Sequence, residues 1–318
     1  MITSGRSGSI RLGKRNMISA FVDVLLPVFL VTAVGMTLRL RLRLSASPFN
    51  QVMLYILSPA LVFHFLRTIE IESASPTQII AAVCLLTAVI LLISSVVGRL
   101  LGHDRKTQSA FLLATTFPNA GNMALPMSLL AFGETGLSIA VTIFAIQSIL
   151  GWVLGAFLAA RSTSVGLAPL KETLRLPITW AIITALFFRA SDVSLPGFIA
   201  ESVGMLADAA IPMMLIILGF QLDNGVSLHR WPTIVLSVFI RLIGAGLLAY
   251  GTTIIFGLSG VVQQTFVMVA AMPTAVYTII LAKKFNAEPR LVTNIVVIST
   301  FCSLATLAPM IALVQTWL

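Results

Sequence analysis

Two stretches of this chain join proline to polar residues inside long apolar runs. The first, Phe117-Pro118-Asn119-Ala120-Gly121-Asn122-Met123-Ala124-Leu125-Pro126, sets two amides between two prolines. Proline lacks an N–H and interrupts a helix, and Pro126 suits the first position of a resumed one. A helix start presents N–H groups worth roughly half a positive charge, and Asn119 and Asn122 add neutral donors. Together these can hold an anion; the same amides can instead satisfy the interrupted backbone. The second stretch, Ala271-Met272-Pro273-Thr274-Ala275-Val276-Tyr277, repeats the interruption. Tyr277 can hydrogen-bond or stack on a ligand, or pack against a neighbouring helix. The expected substrate site therefore comprises Asn119, Asn122, Pro126, Pro273, Thr274 and Tyr277.

Two ionisable residues also lie inside apolar runs, where charge is costly and marks function or pairing. Asp208, close to Pro212, is a candidate to carry a proton, pair with a cation or accept local backbone. Arg241 can attract an anion or form a structural ion pair with Asp208. Asp23 sits near the start of a run, where an interfacial role is expected, and His64 is read as structural. Gly151, Gly155 and Ala159 make a small-residue stripe that predicts close helix packing. Gly257-Leu258-Ser259-Gly260 resembles the motif of intramembrane serine proteases, but no histidine base follows His229. No catalytic residue is assigned. Cys84 and Cys302 belong to no CxxC, so neither a disulfide framework nor a zinc site is expected, and no metal or cofactor is implied.

What positions these residues is a set of membrane helices. The 318 residues are 58% hydrophobic and 10% charged, with a mean hydropathy of +1.02. A soluble domain carries about a quarter charged residues, so the solvent here is lipid. Apolar runs at 18–38, 49–66, 78–98, 109–132, 137–160, 176–190, 202–220, 232–257, 261–282 and 291–318 predict ten spans. The sixth is short, with Arg175 and Arg189 placed to snorkel outward. Net charge is +9, but the basic residues cluster in short loops, which excludes nucleic acid as partner and fits cytoplasmic loops. With the N-terminus outside, inside loops hold thirteen of the 20 basic residues. That orientation predicts both termini outside a cell (inner) membrane. The organisation reads as a basic tail at 1–16, a five-span half at 17–160, a cytoplasmic linker at 161–173 and a second half at 174–318. The tail argues against the charge rule, and translation from Met17 would remove the conflict.

The halves repeat. Gln108, Phe111 and Pro118 recur as Gln263, Phe266 and Pro273, each 155 residues on. Pro59 and Pro212 follow at nearly the same offset, and Pro27 and Pro177 sit near the starts of the first and sixth spans. An odd number of spans per half makes the repeat inverted. Matched, interrupted helices in inverted halves point to a transporter binding site.

With these motifs in view, the chain resembles the auxin efflux carrier family, the PIN-related permeases, across nearly its whole length. The resemblance rests on 117–126 followed by Phe132-Gly133-Glu134, on Ala207-Asp208-Ala209-Ala210-Ile211-Pro212, on the basic Arg241, and on 271–277 with Ala282-Lys283-Lys284-Phe285-Asn286-Ala287-Glu288-Pro289. It implies an all-α membrane fold of ten helices in two inverted five-helix repeats, with helices four and nine broken and crossing, and a homodimer. It implies a secondary transporter working by alternating access. Its plant members export auxin, an indole carboxylate; bacterial relatives are associated with malonate and similar carboxylates. The expected cargo is a small organic anion. Position 277, often Asn in bacterial relatives, is Tyr here, and Thr278 stands where plant members have a second proline. An anion channel or a non-transporting membrane protein is the alternative, separable by saturable, competitive uptake.

Overall fold

The computed structural model describes residues 18, 21–68, 74–160, 174–191, 193–221 and 230–316. The basic tail, the 161–173 linker and His229 lie outside them. The regular elements among the described residues are helices: α1 (Phe21–Leu42), α2 (Ala46–Thr68), α3 (Pro76–Leu100), α4 (Arg105–Thr116), α5 (Ala124–Ala160), α6 (Pro177–Ala190), α7 (Gly197–Gln221), α8 (Trp231–Ile255), α9 (Gly260–Ala270), α10 (Tyr277–Lys284) and α11 (Pro289–Gln315). Seven of them, α1, α2, α3, α5, α7, α8 and α11, are long and apolar enough to cross a membrane, while α6 and α9 are shorter apolar helices. Large apolar side chains point outward along them, such as Leu92 and Leu247, as lipid contact requires.

The expected fourth and fifth spans meet in one element, α5. Its backbone leaves the helical region at Gly133 (φ 68°, ψ −161°), a conformation that glycine reaches without steric cost. The chain reverses there. Gly136 lies against Phe132, Gly121 faces the ring of Phe144, and Gly155 lies near Phe117 and Leu113. Later residues meet progressively earlier ones, so the part of α5 after Gly133 runs back along the break and α4.

Element boundaries recur at the same 155-residue interval as the motifs. Both α3 and α8 are 25 residues long, and α8 starts and ends 155 residues after α3. The starts of α4 and α9 are equally spaced. So are the positive-φ residues: Gly102 (φ 67°) matches Gly257 (φ 63°), and Gly133 matches Glu288 (φ 46°).

The helices pack in two groups, each drawn from both halves of the chain. In one, α1 lies on α7, and α2 on α6 and α7; in the other, α3, α4, α5 and α8 to α11 pack together. The α1–α7 contact is backbone to backbone. A methyl group at Gly35 would overlap the Ile216 carbonyl, and one at Gly219 the Thr32 carbonyl, so no side chain fits at the contact.

Candidate substrate-binding site

Proline ends both α4 and α9, and the broken backbone is satisfied by the opposite break. Pro118 has no N–H for the carbonyl of Ala114; the Thr274 hydroxyl donates to it instead, at 2.7 Å. The unwound segments 117–119 and 273–275 lie antiparallel. Asn119 N–H donates to the Pro273 carbonyl at 2.7 Å and Ala275 N–H to the Phe117 carbonyl at 2.9 Å. Thr274 N–H donates to Ser299 Oγ at 3.2 Å.

Arg241 completes the arrangement. It lies in a π-helical turn of α8, Ile240–Gly244, and is 0% exposed. One guanidinium nitrogen donates to the carbonyls of Thr115 and Thr116, at 2.8 and 3.0 Å. The other donates to the Ala270 carbonyl. These are C-terminal carbonyls of α4 and α9, which have no helical donor. Each helix end carries roughly half a negative charge, so the two together offset one guanidinium. No carboxylate pairs with Arg241 among the described residues. The expected Arg241–Asp208 pair is not formed: Asp208 is exposed on α7, where Met205 beside it is 74% exposed. Physically, the helix ends supply the counter-charge that the carboxylate was expected to give.

The helix starts are differently placed. In α5 the N–H groups of Ala124, Leu125 and Met127 donate to carbonyls of Asn119, Gly121 and Met123. Those of Gly121, Asn122 and Met123 have no backbone acceptor among the described residues, nor have those of Val276 and Tyr277 at the start of α10. Pro126 is the third residue of α5 rather than its first, because the chain turns into helix earlier; its missing N–H still falls in the first turn. Asn119 is buried and its Nδ2 has no partner among the described residues, while Asn122 is half-buried. Pro273 and Thr274 are buried, and both backbone groups just described and the Thr274 hydroxyl are engaged in the crossing. Tyr277 stacks on Trp152 (5.9 Å, 25°) and leans on Phe117 (6.0 Å). Its hydroxyl, which has no hydrogen-bond partner among the described residues, occupies the space left by Gly151. The small-residue stripe thus receives α10 and the α4 break: Gly155 lies against Leu281 and Phe117. The structure brings Asn119, Asn122, Pro126, Pro273, Thr274, Tyr277 and Arg241 to one crossing and leaves Asp208 apart from it.

The family model described as "Membrane transport protein" matches residues 20–168 and 162–311. The chain belongs to this family, that of the auxin efflux carriers and PIN-related permeases. It is accordingly a multi-pass membrane protein of a transporter family. An uncharacterized transporter of Methanothermobacter thermautotrophicus is 26% identical over 264 residues, covering 82% of this chain and 87% of that protein. One from Methanocaldococcus jannaschii is 26% identical over 307 residues, covering 90% and 96%. Auxin efflux carrier component 3a of Oryza sativa subsp. japonica is 24% identical over 131 residues, covering 41% of this chain and 21% of that carrier.

In this family member a charged cluster ties together the starts of α4, α8 and α11. Arg230 lies 3.6 Å from Asp104 and 3.8 Å from Glu288, and it donates to the Thr107 hydroxyl. Beside it, His103 Nε2 is 3.1 Å from Thr233 Oγ1. Burial, then the charge of Arg230, lowers the imidazole pKa, against the pull of Asp104. Hydrogen bonding from Thr107 is the largest cause holding the Asp104 carboxyl below its ordinary value. The sequence reading missed this cluster; its signal was one carboxylate and one histidine among the basic residues of the 99–106 loop.

Proposed function

We propose that this protein is a secondary carrier, not an enzyme, that moves small organic anions across a cell membrane by alternating access. Mono- and dicarboxylates and auxin-like acids are the substrate class. The observation that carries the reading is the placement of Arg241. It offsets the C-terminal ends of both broken helices, so the turns leading into α5 and α10 keep unmatched N–H groups at the positive ends of their helices, each end worth roughly half a charge. The N–H groups of 121–123, Val276 and Tyr277, with Asn119 Nδ2, are donors that an anionic group can use. None of these is itself a fixed charge, so the site can also return empty.

The carrier reading takes the chain as ten crossings in two inverted halves. The reversed α5 supplies two crossings in part, α4 joins its first part, and α9 with α10 makes one interrupted crossing. The recurrence of boundaries and positive-φ residues at 155 residues supports this reading. The basic loops support both termini lying outside. An exposed Asp208 midway along α7 supports a homodimer, since lipid is a poor neighbour for a carboxyl group. Asp208 is then the candidate for proton coupling, and Asp208→Asn should abolish any pH dependence of transport.

The test is a thermal-shift screen of the purified protein against monocarboxylates, dicarboxylates and indole acids. A true ligand at a hundred times its Kd stabilises by about 2.7 kcal/mol. Acids that stabilise should show saturable, mutually competitive uptake in reconstituted vesicles. Stabilisation by none of them, or non-saturating flux, would overturn the carrier reading.

A further inference from the structure

A cavity of about 10 Å³ lies against the crossing, between α3, α5, α8 and the end of α9. Its wall is mostly apolar, but four polar side chains line it: Thr87, Thr116, Gln147 and Arg241. All are more than nine-tenths buried. Three of them hold a polar atom with no partner among the described residues, namely Thr116 Oγ1, Gln147 Oε1 and Arg241 Nε. A buried polar group left unmatched is costly, and three around one cavity call for a shared partner.

The chemistry of that partner follows from the atoms. Thr87 donates its hydroxyl hydrogen to the Val83 carbonyl at 2.7 Å and accepts from Gln147 Nε2 at 3.4 Å. This fixes the orientation of the Gln147 amide and leaves its oxygen as a bare acceptor. Arg241 Nε–H is a donor only, and the Thr116 hydroxyl is either. A metal cation would face a guanidinium, and a bare anion would face the Gln147 oxygen. A species that donates on one side and accepts on the other satisfies both. The space suffices for one water, which commonly makes about three such bonds.

We propose that this cavity binds a single water that bridges Gln147 on α5 to Arg241 on α8 and Thr116 at the end of α4. The bridge extends the chain Val83–Thr87–Gln147 through the water to the guanidinium that caps both broken helices. It fixes Arg241 from a third side, independently of which anion the carrier takes.

A density map of the intact protein that resolves ordered water tests the assignment. One peak is expected within about 2.6–3.2 Å of all three atoms. Gln147→Leu, which removes the acceptor, should lose it. Thr116→Val, nearly isosteric, should weaken it and serves if the first variant does not fold. An empty cavity, or an undiminished peak in the variants, overturns the proposal. Crystals grown in bromide in place of chloride provide the control: an anomalous peak there would make the site a halide site instead.

Discussion

Asn119 and Pro273 are joined through backbone alone, the N–H of one to the carbonyl of the other at 2.7 Å. The crossing therefore does not depend on the Asn119 side chain, whose Nδ2 has no partner among the described residues. Asn119→Ala should leave the thermal midpoint near the wild-type value. If Nδ2 serves the anion, the loss of that bond costs about 1–3 kcal/mol, a roughly five- to 150-fold weaker Kd. Titration of purified wild type and variant with the best stabilising acid decides this; equal affinities would move the site elsewhere.

Arg241 should behave in the opposite way. Arg241→Met leaves the carbonyls of Thr115, Thr116 and Ala270 without these donors. At about 1–3 kcal/mol for each buried group, the variant should insert yet melt far below the wild type. Arg241→Lys keeps a charge but not the planar fork that reaches two helix ends, and should fall between. Fluorescence-detected size exclusion after heating reads the order directly.

The α1–α7 contact gives a packing test. Gly35→Ala and Gly219→Ala each place a methyl group on a facing carbonyl. Overpacking of this kind costs roughly 1–3 kcal/mol. Gly251→Ala, where no described residue lies within 4 Å of the added methyl group, should have no such effect. Matching melting curves for Gly219→Ala and Gly251→Ala would contradict the close contact.

Stability should fall on acidification. His103 has a pKa lowered from 6.5, chiefly by burial. Below pH 6.5 the unfolded chain takes up this proton while the folded one resists, so the His103 contribution is complete above that pH and declines below it. Asp104, also lowered, contributes in the same sense at more acid pH, as its carboxylate is protonated. His103→Gln should flatten the pH dependence of the thermal midpoint just below pH 6.5.

Orientation is tested by labelling. In a background with Cys84→Ser and Cys302→Ser, Thr68→Cys should react with an impermeant thiol reagent in intact cells. Arg105→Cys should react only after permeabilisation. The reverse pattern would invert the topology.

Much of the crossing was legible in the sequence because proline acts locally. Pro118 and Pro273 withhold an N–H from the helix before them, while Pro212 and Pro309 sit inside continuous helices; the shared spacing from Gln108 and Gln263 showed that the two breaks correspond. Those glutamines do similar work in the fold, reaching back to Ser95 and Thr253 on the preceding helix. The partners of Arg241 were not legible. A lone buried charge suggests a carboxylate, and nothing in residue type reveals that two helix ends, 29 residues and more away, turn their carbonyls to it. Gln147 was missed although a glutamine midway along an apolar run is itself a signal. The reversal at Gly133 was expected only as a gap between spans; hydropathy does not record backbone direction.

The capping of both helices by one arginine has a consequence for biosynthesis. Arg241 follows Thr116 by 125 residues. At about 5–20 residues per second, the ribosome adds it roughly 6–25 seconds after α4 is made. The matching position of the first half, 155 residues earlier, is Leu86. A nascent first half therefore carries no arginine at the position that, in the second half, closes the end of α4. The broken helix must wait in the translocon or the bilayer with open carbonyls until α8 arrives. That interval is when the membrane's quality-control machinery would meet the chain at its most vulnerable.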